Sequence, residues 1–231
     1  MTSSLLILTI CSFSSILFVG NSYTMSGGGL WLQVKQIYES LSTDTISAAG
    51  HTVGGASFLD HWNNQALREQ LENGEWDIVV FQEQSCMPVI NPSQTYLYGD
   101  SLAWLVTEAG SEPAFFMTWA RKQDPLMLAG LEPAYSHLGQ SQGAAVAPCG
   151  IAFDTLRRLY PHINPYADDG SHPSACGSYL AACVIASTVF HVDILSEETW
   201  QPEGTSISEG EILRLVAAVS CSSYQQPARG K

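Results

Sequence analysis

Ser22, Asp169 and His172 are residues whose types and spacing could together carry nucleophilic chemistry. Ser22 lies in the run Ile16-Leu17-Phe18-Val19-Gly20-Asn21-Ser22-Tyr23-Thr24, where an apolar stretch that reads as a buried strand stops at a glycine and hands over a polar segment. Such a strand is apolar on both faces because helices cover both, and its carboxyl end opens on the crevice where open α/β sheets bind ligands. The serine is thereby placed at the mouth of a site. Far away in sequence, Asp169-Gly170-Ser171-His172 sets an aspartate three residues before a histidine, with Pro173 opening the next helical stretch. A carboxylate so placed can turn back and hold one imidazole nitrogen, leaving the other free to take a proton from a serine. Nucleophile, base and orienter are then all present.

These residues need elements to position them. Short apolar runs alternate with longer amphipathic ones, the pattern of βαβ units and a parallel sheet. Strands are expected at Ile16–Gly20, Thr45–Ala49, Trp76–Gln82, Ala114–Trp119 and Ala144–Ala147. A helix over Leu30–Leu41 gathers Leu30, Val34, Ile37, Tyr38 and Leu41 on one face. Asn91-Pro92 reads as the cap and first residue of a helix running to about Ala109, and Ser208 with Glu211 as a capping box that opens the last helix. Five strands with helices between them predict a three-layer α/β/α sandwich around a five-stranded parallel sheet of flavodoxin-like type. The segments bearing Ser22, Gly54-Gly55, Gln82–Ser85 and Asp169–His172 then collect at one sheet edge, which is what a catalytic site needs.

A carbonyl attacked by a serine develops an oxyanion that preorganised donors must meet. The backbone N–H of Ser22 is one by position. Gly55 is the best second, with Gly54 beside it, because glycine allows close backbone approach. A side-chain amide would complete the set, and Gln82 and Gln84 share a face if the third strand continues past Phe81. Trp119 and Arg121, after the fourth strand, are candidates to line a cleft, although a tryptophan there also suits the core. Of the other histidines, His51, His137, His162 and His191 read as structural, and His61 as a packing or hydrogen-bonding residue. Asp168, Asp169 and His172 lack an additional His or Cys pair at ligand spacing, so no metal is expected. No cofactor is called for either.

Taken in order, these blocks resemble the SGNH hydrolases, the GDSL-like esterase family, in the subgroup whose first block reads Gly-Asn-Ser-Phe/Tyr-Thr. The resemblance covers roughly Ile16 to Phe190. It rests on Gly20-Asn21-Ser22-Tyr23-Thr24, on Gly54-Gly55-Ala56-Ser57 with His61-Trp62, on Asp77–Ser85, and on Asp169-Gly170-Ser171-His172-Pro173-Ser174 with Gly177–Ala181. It implies the SGNH hydrolase fold and a serine esterase with Ser22 as nucleophile and His172 as base. It selects Asp169 over Asp168 as the orienter. The family's Gly-x-Asn-Asp block is missing after the Asp77 strand, and alignment with the subgroup's glutamine assigns its oxyanion role to Gln82, beside Ser22 and Gly55. The implied substrates are small-molecule or carbohydrate esters, with removal of short acyl groups from carbohydrate first. A polysaccharide O-acyltransferase and a non-catalytic carbohydrate-binding relative are the alternatives.

Composition bounds the rest. The chain has 231 residues and 45% hydrophobic content, enough to bury one full α/β core at 16–224, with a polar tail at 225–231. A net charge of −13 repels phosphate backbones, so nucleic acid is not an expected partner. No apolar stretch approaches the eighteen or so residues of a membrane span. Residues 1–15 carry a short apolar core and small residues at Ser12 and Ser14, but no Lys or Arg. They read either as a signal peptide, implying a secreted or periplasmic protein, or as an N-terminal extension of a cytoplasmic one. Six cysteines without a Cys-x-x-Cys pair exclude a zinc ribbon and a thioredoxin-like motif. Oligomeric state is left open.

Overall fold

Strand β1 (Ser15–Gly20) is buried from Ile16 onward, as a central strand covered by two helical layers must be. The computed structural model describes residues 15–224. The leader or extension expected at 1–15 lies, but for Ser15, outside the described residues, as does the tail at 225–231. Strands β2 (Ser47–Thr52), β3 (Ile78–Phe81), β4 (Glu112–Phe116) and β5 (Ala145–Ala147) complete a five-stranded sheet. Its order is β2-β1-β3-β4-β5 and every neighbouring pair is parallel. From β1 the chain goes to one side for β2 and to the other for β3, so the crevice of this flavodoxin-like order opens between β1 and β3 at their carboxyl ends.

The helices are α1 (Ser22–Met25), α2 (Leu30–Leu41), α3 (Phe58–Asn63), α4 (Gln65–Asn73), α5 (Met87–Ile90), α6 (Pro92–Glu108), α7 (Leu128–Gln142), α8 (Cys149–Leu159), α9 (Ala175–Phe190) and α10 (Ile207–Ser223). Successive strand residues point to opposite faces, so each strand feeds two cores. Ile16, Phe18, Ile78, Val80 and Phe116 pack with α2, α8, α9 and α10, whereas Leu17, Val19, Val79, Phe81 and Phe115 pack with α3, α4, α6 and α7. Helix α9 is buried at every residue from Gly177 to Ala186, the condition that lets a helix be apolar all round. Among the described residues no helix is long and apolar enough to cross a membrane.

The three-layer α/β/α sandwich expected from the sequence is the architecture found. Helix α2 has the expected bounds, and Asn91 caps α6 by accepting the Gln94 N–H ahead of Pro92. Five expectations are corrected. The last helix is capped by Ser206, whose hydroxyl accepts the Glu209 N–H, not by Ser208 with Glu211; Ser-x-x-Glu occurs twice, two residues apart, and Ser206 is the one in extended backbone. The helix expected from Pro173 starts at Ala175 with Ser174 as cap, because Pro173 is taken up in a bridge to Tyr166. Strand β2 runs Ser47–Thr52 rather than Thr45–Ala49. It is a half-exposed edge strand, and pairing with β1, from Ser15↔Ser47 to Gly20↔Thr52, decides its ends more than apolarity does. Ladder pairing likewise trims β3 and shifts β4 towards Glu112, which pairs with Ile78.

Candidate active site

Gly20 is where β1 gives way to the site. A Cβ there would lie 2.3 Å from Thr24 Oγ1 and 2.7 Å from Gln82 Oε1, so only glycine lets the chain turn this tightly. Asn21 then caps α1: its Oδ1 accepts the Tyr23 N–H at 3.1 Å and its Nδ2 donates to the Ala56 carbonyl at 3.0 Å. These bonds fix the backbone on both sides of Ser22, which is half-buried as the first residue of α1.

The structure brings the distant loop to that serine. His172 Nε2 stands 2.9 Å from Ser22 Oγ, and His172 Nδ1 stands 2.5 Å from Asp169 Oδ2. Asp169 Oδ1 accepts the N–H groups of Ser171 and His172, each at 2.9 Å. The imidazole contact, with those two N–H bonds, holds the Asp169 carboxyl down to about 2. An ionised carboxylate only accepts hydrogen bonds, so Nδ1 must carry the proton facing it. Nε2 is then a free acceptor for the serine hydroxyl, the tautomer a general base requires. Asp168 is exposed beside this network.

What holds two segments 150 residues apart at bonding distance is a contact between their neighbours. The hydroxyls of Tyr23 and Ser171 meet at 2.6 Å, and Trp119 Nε1–H donates to the Ser171 carbonyl at 2.9 Å. Trp119 stacks on Tyr23 with ring centres 4.7 Å apart and on Phe153 at 3.9 Å. Trp119 is completely buried and so belongs to the core rather than to the cleft wall, while Arg121 is exposed. Tyr23 and Ser171 are site residues that sequence reasoning missed. Each adjoins a recognised one, but no spacing signals that they pair.

The glycine loop lies beside the serine turn because the Val53 N–H donates to the Gly20 carbonyl at 3.1 Å. The Ala56 N–H closes a turn on the Val53 carbonyl at 3.1 Å, and Gly55 at its third position has φ +71°, as a type II turn requires. A Cβ at Gly54 or Gly55 would meet nothing within 4 Å, so the loop faces open space. Among the described residues the N–H groups of Ser22, Gly54 and Gly55 have no acceptor, which leaves them available to an oxyanion. His61 lies beneath. Burial pushes its imidazole down to about 4, and neutral Nε2–H donates to the Gly20 carbonyl at 3.0 Å, a packing role as expected.

Gln82, expected to meet the oxyanion, is bonded beneath the serine turn. Its side chain is 1% exposed, and Oε1 accepts the Asn21 N–H at 3.0 Å and the Thr24 hydroxyl at 2.9 Å. Nε2 donates to the Glu83 carbonyl. The strand-end register turns this amide under the serine turn, where its oxygen is spent on the Asn21 N–H and Thr24 and its nitrogen donates to the Glu83 carbonyl. Gln84 serves a different end, its Oε1 accepting the N–H groups of Cys86 and Met87 at the start of α5. Gln82→Ala would strand two buried donors, at a cost of about 1–3 kcal/mol each. Denaturant unfolding is expected to show a loss of about 2–6 kcal/mol. Unchanged stability with lowered kcat would instead support the oxyanion role. Among the described residues no three His, Cys, Asp or Glu side chains group as metal ligands.

No protein-family model matches the sequence, and no curated protein matches it. Solved structures do. A presumed SGNH hydrolase from Slackia heliotrinireducens is 24% identical, with a TM-score of 0.63 over 77% of this chain and 99% of its own. A DUF4886 family protein from Bacteroides uniformis is 18% identical, with a TM-score of 0.72 over 94% of this chain and 98% of its own. An acetyl xylan esterase is 14% identical, with a TM-score of 0.58 over 76% of this chain and 99% of its own.

Proposed function

We propose that this chain, whose fold is that of the SGNH hydrolases, is a serine esterase that works through an acyl-enzyme and removes short acyl groups, acetyl first, from carbohydrate. The observation that carries the reading is the bonded series Ser22 Oγ, His172 Nε2, His172 Nδ1 and Asp169 Oδ2 at 2.9 and 2.5 Å. In the reaction so read, His172 Nε2 takes the Ser22 proton as Oγ attacks the ester carbonyl. The resulting oxyanion meets the N–H groups of Ser22 and Gly55. The imidazolium returns that proton to the departing alcohol, leaving acyl-Ser22. Water then repeats the attack with His172 as base, releasing the acid and restoring the Ser22 hydroxyl.

Two observations support a short acyl group on a bulky alcohol. The side chains of His172 and Asp169 are 44% and 49% exposed, an open site that admits a large leaving group. The acetyl xylan esterase among the structural neighbours shares the fold. The test is a series of p-nitrophenyl esters from acetate to dodecanoate, with acetylated xylan as carbohydrate substrate and a fluorophosphonate probe for the serine. Turnover is expected to be fastest with acetate, free acetate to be released from xylan, and the probe to modify Ser22. No hydrolysis of any ester together with no labelling of folded protein would overturn the assignment.

A further inference from the structure

Among the described residues Glu83 is the one acidic side chain that is buried, at 0% exposure, and none of the ion pairs includes it. Withdrawing a carboxyl from water without a cation is unfavourable unless its lone pairs are well bonded. Here they are. Oε1 accepts the Phe58 N–H at 2.9 Å and the Gln84 N–H at 2.7 Å, and Oε2 faces the Thr95 hydroxyl at 3.3 Å. Phe58 is the first residue of α3, three positions after Gly55. Ser57, between them, caps that helix on the Asp60 N–H, and the Ala56 carbonyl takes the Asn21 amide. The glycine loop is thus anchored at Val53 to Gly20, at Ala56 to Asn21, and at Phe58 to Glu83. Among the described residues the last anchor is a hydrogen bond to a side chain just past β3, beside the packing of the Phe58 ring on Phe81.

We propose that Glu83 is a positioning residue for the oxyanion donors: its buried carboxyl fixes the Gly54–Gly55 loop, through the Phe58 N–H, against the strand ends that carry Ser22. Gln82 and Glu83 then divide the work at the end of β3, the first holding the serine turn and the second the glycine loop. The inference rests on the hydrolase reading and adds to it a residue outside the Ser-His-Asp series. It also gives a physical reason for a carboxyl in this core. Oxyanion stabilisation depends on donors set before reaction, and about an ångström of misplacement costs about 10² in rate.

The surroundings of Glu83 yield a second signature. The groups facing it are Asp60 from α3, Thr95 from α6 and the buried Tyr135 from α7, none a cation. Burial pushes the Glu83 carboxyl up to about 7, against the pull of the Phe58 and Gln84 N–H bonds. The folded chain therefore binds an extra proton between the ordinary glutamate value and about 7. The stability this provides is full below that window and is lost as pH rises through it.

The experiment compares Glu83→Gln and Glu83→Ala with the intact chain on p-nitrophenyl acetate, together with unfolding at several pH values. Glutamine keeps a carbonyl for both backbone N–H groups, so Glu83→Gln is expected to hold kcat within about threefold while abolishing the loss of stability between about pH 4.5 and 7. Glu83→Ala is expected to lower kcat about 10- to 100-fold with KM changed less than about threefold, the split expected when only the transition state loses contact. If the alanine variant does not fold, Glu83→Leu fills the space without an acceptor and reads the same quantity. A folded alanine or leucine variant with unchanged kcat would overturn the inference, as would a glutamine variant with the pH dependence of the intact chain. Failure of the hydrolase reading looks different: the intact chain itself would then turn over no ester.

Discussion

A folded Ser22→Ala protein is expected to lose esterase activity by about 10⁴- to 10⁶-fold in kcat. The loss is large because the Oγ attack is the step that divides hydrolysis into two easier ones, and among the described residues Ser22 is the one hydroxyl recorded bonded to His172 Nε2. Oγ makes a 2.9 Å contact in a half-buried position, so its removal leaves the packing of Tyr23 and Thr24 intact. Melting temperature should change little, and the fluorophosphonate should no longer label. His172→Ala should cost about as much, and the double variant no more than either single one, because the two act as a unit. Wild-type turnover by folded Ser22→Ala protein would remove the mechanism altogether.

The second large effect is expected at Asp169. Asp169→Asn can keep its carbonyl on the N–H groups of Ser171 and His172, so the loop should hold its shape. Its NH₂ would then face His172 Nδ1 as a donor. The imidazole would have to move its proton to Nε2, the nitrogen that must accept from Ser22, and kcat is expected to fall about 10³- to 10⁴-fold with KM nearly unchanged. Since His172 and the two N–H bonds hold the Asp169 carboxyl far below the usual carboxylate range, acid inactivation near neutral pH is not caused by Asp169 protonation. An Asp169→Asn enzyme within tenfold of the intact one would show that the carboxylate does not set the tautomer.

The two substitutions also mark what could be seen in advance. Ser22 is legible because a run of buried strand residues ending at glycine and a polar tripeptide is a local pattern. Asp169 and His172 are legible because their pairing closes within four residues. The surroundings of Gln82 were not legible, for a physical reason. The amide lies at a strand end, and a period-two pattern tells that Gln82 and Gln84 share a face without telling whether that face meets the crevice or the turn beneath it. The ladder decided it: the Gln82 N–H donates to the Val19 carbonyl, and the side chain lies under Asn21 and Thr24. Glu83 carried no sequence signal, since a lone glutamate after a strand usually lies in solvent.

By itself the sequence determined the alternation of strand and helix, and with it a parallel sheet inside two helical layers, because buried strands and amphipathic helices are written in local hydrophobic periodicity. It also determined a serine at the end of β1 and a histidine held by its own loop, both contacts of short range. The tertiary structure alone decided the strand order that sets β1 beside β3, the Tyr23–Ser171 and Trp119–Ser171 bonds that bring His172 to Ser22, and the burial of Gln82 and Glu83 beneath the site. Those are contacts between residues far apart in the chain. Their energies depend on which atoms the folded sheet leaves without water, a quantity that no window of sequence contains.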